Sequence, residues 1–404
     1  MPYDSTAPAA APPLGVGMVG YAFMGQAHSQ GWRTVGRVFD LPLSPALAAV
    51  CGRDPAAVRA AAGRLGWAAA ETDWRALIAR PDVQLVDICT PGDSHAEIAV
   101  AALEAGKHVL CEKPLANTVE EAEAMAAAAR AARARGQVAM VGFNYRRTPA
   151  LALARRMVAD GRLGELRHIR VSYLQDWLVD PAFPLAWRLR KETAGSGALG
   201  DLGAHAVDLA QHLAGSHLAG VSAQTETFVR ERPLRQEEPD GERGQVTVDD
   251  AAVFTGRLDS GALASFEVTR VAAGRKNALR VELNGTLGSL AFDLERLNEL
   301  QFHDNTQPAD EAGFRRILVT EHDHPYLEGW WPPGHGLGYE HTFTHQARDL
   351  VHAIAAGTQP SPSFDDGLQV QRVLAAVEES AERDCVYTPV RHGAAATAAT
   401  PTTA

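Results

Sequence analysis

A strand–helix–strand rhythm through the first 145 residues restricts this chain more than any other feature. An apolar run at 14–19 leads into the turn Gly20-Tyr-Ala-Phe-Met-Gly25, and a helical stretch follows over 26–35. Further strands are predicted at 47–51, 84–89, 108–111 and 138–141, with helices at 56–65 and 94–105 between them. Thr118 and Glu121 have the spacing of a capping box that opens one more helix. Alternation of this kind builds a parallel sheet covered by helices on both faces, an α/β fold.

The turn after the first strand has the setting of a dinucleotide fingerprint, a tight bend whose backbone N–H groups meet a pyrophosphate at a helix N-terminus. In G-x-G-x-x-G the middle glycine would be residue 22, and here that residue is Ala22. Two readings stay open at this point. One is a cofactor cradle made by Gly20, Ala22, Phe23, Met24 and Gly25; the other is a plain strand–helix turn. The second strand ends in Cys51-Gly52-Arg53-Asp54. An acidic residue there would accept from the ribose hydroxyl of NAD, whereas an arginine would pair with the extra phosphate of NADP. Gly52 stands where the acid is most expected, Arg53 suits a phosphate or plain solvent, and Asp54 can still reach a ribose. NAD and NADP both remain open.

With 404 residues the chain exceeds the roughly 250–300 at which single cores stop growing, so two domains are expected. They are placed at 14–145 and 146–385, between a disordered lead at 1–13 and a disordered tail at 386–404. Lys and Arg number 38 against 49 Asp and Glu, a formal charge of −11. That balance argues against nucleic acid or an anionic membrane as the main partner, since both call for a basic surface. No apolar run approaches the ~20 residues of a membrane span, and the first residues lack the basic and apolar regions of a signal peptide. Cys51, Cys89, Cys111 and Cys385 form no C-x-x-C pair and read as reduced thiols, so a cytoplasmic location is expected.

Three further segments carry chemistry: Asp87-Ile-Cys-Thr90-Pro91 with His95 beyond it, Cys111-Glu112-Lys113-Pro114-Leu115, and Gly195-Ser-Gly197 running to Asp201-Leu-Gly-Ala-His205. Lys113 follows a predicted strand, at the sheet edge where open α/β sheets bind ligands. Asp201 and His205 lie four apart on a helix predicted over 201–213, so they share a face beside the apolar stripe Leu202, Ala206, Leu209 and Leu213. Asp208 and His212 continue that line and are expected on a solvated face. In this order and spacing the segments resemble the glucose–fructose oxidoreductase, inositol dehydrogenase and rhizopine-catabolism family, Gfo/Idh/MocA, over about 15–383. The resemblance implies a Rossmann domain followed by an α/β domain on a large, open, mostly antiparallel sheet. It makes Lys113, Asp201 and His205 the catalytic groups and places Thr90, Pro91, His95, Glu112 and Lys113 toward the nicotinamide. It also implies a homodimer or homotetramer formed through the open sheet.

The second half reads as strands at 166–173, 220–229, 248–258, 262–271, 278–283 and 289–293, with a polar loop at 230–245. Two late helices, at 341–356 and 365–383, are expected to return toward the first domain. Tyr145, Gln175, Trp177 and Arg188, joined by Lys113, Asp201 and His205, combine aromatic faces with polar donors, which suits a polyhydroxylated ring. The Gln175-Asp176-Trp177 run also resembles family members that oxidise levoglucosan, glycosides or related sugars. The function implied is NAD(P)-dependent interconversion of a secondary hydroxyl and a ketone on a cyclic sugar, sugar derivative or inositol. The rivals are a non-catalytic sugar or dinucleotide sensor of the same fold and a glycoside-processing enzyme with tightly held NAD. His322 with His324 and His341 with His345 have suggestive spacing, but the H-E-x-x-H arrangement is absent and no metal is expected. The aromatic run at 329–339 reads as a lid or subunit contact, with His335 or Tyr339 near the substrate.

Overall fold

The computed structural model describes residues 11–238 and 241–391. Its first sheet consists of β1 (Pro13–Val19), β2 (Ser44–Cys51), β3 (Ala69–Glu71), β4 (Leu85–Ile88), β5 (His108–Cys111) and β6 (Ala139–Val141), in the order β3-β2-β1-β4-β5-β6. All its pairings are parallel. Every residue of β1 after Pro13 is buried, as a strand covered on both faces requires. The connecting helices are α1 (Phe23–Val38), α2 (Pro55–Leu65), α3 (Trp74–Ala79), α4 (His95–Glu104) and α5 (Val119–Arg133). The capping box of Thr118 and Glu121 opens α5 as expected. β3 and α3 were not foreseen, because three residues and six residues are too short to show a period.

The second sheet is built from β7 (Leu166–Leu174), β8 (Leu218–Glu226), β11 (Ala251–Leu258), β12 (Leu263–Thr269), β13 (Ala278–Gly285), β14 (Gly288–Asp293), β15 (Glu299–Asp304), β16 (Arg315–Leu318) and β17 (Thr388–Pro389). Its nine strands run in the order β16-β15-β14-β13-β7-β12-β11-β8-β17, antiparallel except for β12 against β7. Burial alternates along β11, so one face is packed and the other open. The packed face carries α6 (Pro149–Ala159), α8 (Ala204–Ala214) and α10 (Phe364–Glu382). α9 (His341–Ala356) turns back onto α1, with Leu350 and Val351 sharing a core with Trp32 and Val35. A short helix α7 (Lys191–Ala194) precedes the glycine-rich turn.

Four expectations need correction. The polar loop at 230–245 contains a hairpin, β9 (Glu231–Pro233) paired with β10 (Arg243–Gln245), which its charged composition concealed. Residues 11–13 and 386–391, expected to lie in the disordered lead and tail, are ordered. Pro13 opens β1, and Thr388 pairs with Val221 of β8, so backbone hydrogen bonding claims both ends; residues 1–10 and 392–404 lie outside the described residues. The helix predicted from Asp201 begins instead as a π turn, Leu199–Gly203, that passes into α8. Finally, Asp208 is buried rather than solvated. Arg146, from the turn after β6, donates to it from Nε at 3.1 and 2.9 Å and from its terminal nitrogen at 2.5 Å. The same guanidinium reaches Ser361 Oγ at 2.8 Å and Asp366 at 3.4 Å, tying α8 to the start of α10. His212 is half-buried, and burial with Arg146 nearby pulls its imidazole down to about 3. Among the described residues no helix is long and apolar enough to cross a membrane.

Removing one partner of a buried ion pair leaves the other charge uncompensated, at a cost of roughly 3–5 kcal/mol. Asp208→Ala should therefore lower unfolding free energy by about that amount in denaturant titration. A loss below about 1 kcal/mol, the range of exposed pairs, would contradict this account of α8.

Candidate active site

The cofactor end forms where the edge of the first sheet meets α1. Gly20 has φ +96°, and a Cβ there would lie 2.7 Å from the Cys89 carbonyl oxygen; a Cβ on Gly25 would lie 2.3 Å from that of Gly20. Those two glycines are required by the close approach, whereas Ala22 faces the cleft and tolerates its methyl. α1 starts with no side-chain cap and no acidic residue in its first turn. Its first N–H groups and the positive end of its dipole are thus left for an anion, which fits a dinucleotide pyrophosphate. Phe23 is exposed and lies parallel to Tyr339 at 6.4 Å.

At the end of β2, Asp54 accepts from the N–H groups of Ala56 and Ala57, both at 2.8 Å, and so caps α2. Arg53 is exposed and is not part of the cleft lining. Gly52 lies under the Tyr21 ring, where a Cβ would come within 2.0 Å of Cε1, so a side chain at that position would require the ring to move.

Beneath the cleft is a charged cluster that sequence reasoning missed. His28 is fully enclosed, with Nδ1 3.0 Å from both oxygens of Asp87 and Nε2 2.9 Å from Glu112 Oε1. Trp32 Nε1 donates to Asp87 at 2.7 Å, and the other oxygen of Glu112 accepts from the Lys113 N–H at 3.2 Å. Burial opposes the charge on His28, yet Asp87 outweighs it and raises the imidazole well above 6.5. A cationic ring thus joins α1 to the ends of β4 and β5, the loops that carry Thr90 and Lys113. Its only sequence signal is a histidine on the inner face of α1, which is indistinguishable from an ordinary core residue. His95 is also occupied: its nitrogens reach the carbonyl oxygens of Pro114 at 3.0 Å and Thr90 at 2.9 Å. His28, Asp87 and Cys89 are close enough to hold a metal ion, but Asp87 is already engaged with His28 and Trp32. His345 is likewise committed, to the Arg147 carbonyl oxygen and to Trp330.

A cleft of about 650 Å³ runs between the two sheets and brings together Ala22, Phe23, Met24, Thr90, Pro91, His95, Glu112, Lys113, Tyr145, Gln175, Trp177, Arg188, Asp201 and His205. Lys113 Nζ donates to the Asp201 carbonyl oxygen at 2.8 Å and to Oδ1 at 3.0 Å. The π turn widens the coil at that point, letting Asp201 present both oxygens to one ammonium. Burial works against the Asp201 charge, but Lys113, Arg270 and Arg188 hold its carboxyl well below the usual range. His205 packs at 4.6 Å from the Tyr145 ring, and its buried Nδ1 makes no hydrogen bond. Burial, with Lys113 adding to it, pulls His205 well below 6.5. Asn277, Tyr173, Arg270 and Tyr339 also line the cleft and were not singled out, except Tyr339. Tyr145 and Tyr173 bond through their hydroxyls at 2.9 Å, and Asn277 Oδ1 accepts from Tyr173 and from Gln175 Nε2, both at 2.8 Å. His335 is exposed and outside the lining.

A neutral imidazole and a lysine ammonium face one cavity, beside a helix end free to take a diphosphate, which defines the site of a nicotinamide oxidoreductase. The family models agree: residues 14–143 match the oxidoreductase family with an NAD-binding Rossmann fold, and 151–291 match the GFO/IDH/MocA C-terminal domain. The chain belongs to the Gfo/Idh/MocA family and is an NAD-dependent dehydrogenase. It is 44% identical over 382 residues to levoglucosan dehydrogenase of Pseudarthrobacter phenanthrenivorans, covering 92% of this chain and 97% of that one. An oxidoreductase domain protein from Kribbella flavida superposes with a TM-score of 0.91 at 64% identity, covering 94% of this chain and all of that one (100%). Levoglucosan dehydrogenase in complex with NADH and levoglucosan superposes at 0.89 and 43% identity, with 94% and 100% covered.

Because the folded protein depresses His205 below 6.5, its imidazole stays neutral as pH falls through the range where a free histidine charges. In a pH profile of kcat/KM, the limb that disappears in His205→Asn should have its midpoint below 6.5. A midpoint at or above 6.5 would contradict the burial argument.

Proposed function

We propose that this enzyme oxidises a ring hydroxyl of an anhydro sugar, levoglucosan first among candidates, with NAD⁺ as acceptor. The observation that carries the reading is the contact of Lys113 with Asp201 at 3.0 Å inside a cleft walled by Gln175, Trp177 and Arg188. The 44% identity to levoglucosan dehydrogenase over nearly the full chain supports the substrate class. NAD⁺, when bound, supplies the hydride acceptor. His205, neutral in its buried setting, accepts the hydroxyl proton. Lys113 donates to the substrate oxygen and stabilises the negative charge that develops there. Asp201 holds the Lys113 ammonium in place through its two oxygens. Trp177 offers an apolar face to sugar C–H groups, while Gln175 and Arg188 donate to hydroxyls.

We further infer a cytoplasmic homo-oligomer. Free thiols at Cys51, Cys89, Cys111 and Cys385 fit a reducing compartment. Val253 and Leu263, exposed on the open side of the second sheet, suit burial against a second copy.

Crossing NAD⁺ and NADP⁺ with levoglucosan, myo-inositol and glucose should give the highest kcat/KM for NAD⁺ with levoglucosan, read by the absorbance of the reduced nicotinamide. Lys113→Ala should lower that value by ~10²-fold or more, on the scale of losing an electrostatic donor. No turnover of levoglucosan, or an unchanged Lys113→Ala enzyme, would refute the reading.

A further inference from the structure

The wall of the cleft that carries Gln175, Trp177 and Arg188 is a strap, residues 175–190, with almost no regular structure. Its backbone carbonyl groups cannot pair within a helix or sheet, and buried carbonyls need donors. Local turns and the N–H groups of Ala272 and Thr247 serve some of them, and one side chain from outside serves three more. Arg232, on β9 of the unforeseen hairpin, is fully buried and donates to the carbonyl oxygens of Leu178 and Asp180, each at 2.8 Å, and more weakly to Phe183 at 3.5 Å.

A guanidinium is the side chain suited to this task, since its donors form a fixed fork that can serve several acceptors at once. Burying such a charge is unfavourable unless it is well hydrogen-bonded. Burial works against the Arg232 charge, and Asp250, itself buried and bonded to the N–H groups of Phe228 at 2.8 Å and Val229 at 3.0 Å, is the carboxylate that most favours it. The strap has a second attachment: Leu178, Leu185 and Leu189 pack with Val246 and Val248 in a small core separate from the two large ones. The Leu185 N–H also donates to the Pro233 carbonyl oxygen at 2.8 Å, again on β9. Trp177, one residue before the first carbonyl held by Arg232, is thereby presented to the cleft, where its Nε1 donates to Gln175 Oε1 at 2.9 Å.

We propose that Arg232 is a positioning residue for the substrate: by holding the carbonyls of 178, 180 and 183 it fixes the strap and so sets sugar affinity, without touching sugar or cofactor. This rests on the reading of the cleft as a sugar site. The distinguishing signature is a split between binding and chemistry, because Lys113, Asp201, His205 and the dinucleotide turn lie on other elements.

The test uses the full chain carrying Arg232→Met, which keeps an apolar stem, and Arg232→Lys, which keeps the charge and reaches fewer carbonyls. Arg232→Met should raise KM for levoglucosan by about tenfold or more, leave kcat and NADH affinity within about twofold, and accelerate amide hydrogen exchange in 175–190. Arg232→Lys should fall between it and wild type, and carries the same comparison if Arg232→Met does not fold. A sugar KM unchanged in a folded variant, or equal losses in KM, kcat and NADH affinity, would overturn the proposal. Wild-type protein silent on every sugar would refute the sugar reading instead. Exchange in the strap would then decide on Arg232 by itself, with unaltered exchange counting against it.

Discussion

Two hydrogen bonds from a single ammonium, Lys113 to the carbonyl and carboxylate oxygens of Asp201 at 2.8 and 3.0 Å, are what the rest of the site depends on. Lys113 stands at the end of β5 in the parallel sheet, whereas Asp201 stands in the π turn that begins α8 on the second sheet. Their contact bridges the two domains within the cleft, where the proposed hydride acceptor and alcohol would meet. Asp201 thus sits in an irregular π turn rather than in regular α-helix, a feature frequent at functional sites.

The electrostatics around this contact are arranged in layers. Below it, the buried His28 cation is held between Asp87 and Glu112 and ties the Lys113 loop to α1. Beside it, Arg270 approaches Asp201 to 4.0 Å and keeps that carboxylate ionised. Beyond it, the Arg146–Asp208 pair anchors the far end of α8. Each charge is buried with a partner, the condition under which the interior accepts it. In the proposed mechanism His205 is the neutral base and Lys113 the donor, two roles separated by the environment of each side chain.

Much of the first domain was legible because its strands and helices are long enough to show their periods; the capping box at Thr118 and, later in the chain, the helix at 341–356 appear as expected. The residues brought together in the cleft were legible for another reason: they belong to a motif set whose order identifies a family. What escaped depended on contacts distant in sequence. Asp208 looked solvated because its partner, Arg146, lies 62 residues away. His28 gave no signal because its carboxylate partners sit at the ends of other strands. Arg232 and Asn277 were hidden in segments whose composition says loop or surface strand, and only tertiary packing shows that one is buried and the other lines the cleft. Arg53 illustrates the converse, a residue whose position in the motif suggested a phosphate contact and which stands outside the cleft lining.

The central claim is that the cleft passes a hydride from a sugar ring carbon to the nicotinamide while the protein handles only the proton. It is tested most directly by mass spectrometry of the NADH formed from levoglucosan deuterated at its ring carbons. The account predicts that each NADH molecule carries one sugar-derived deuterium, in ordinary water. NADH without the label would contradict it, because the reducing hydrogen would then have come from solvent.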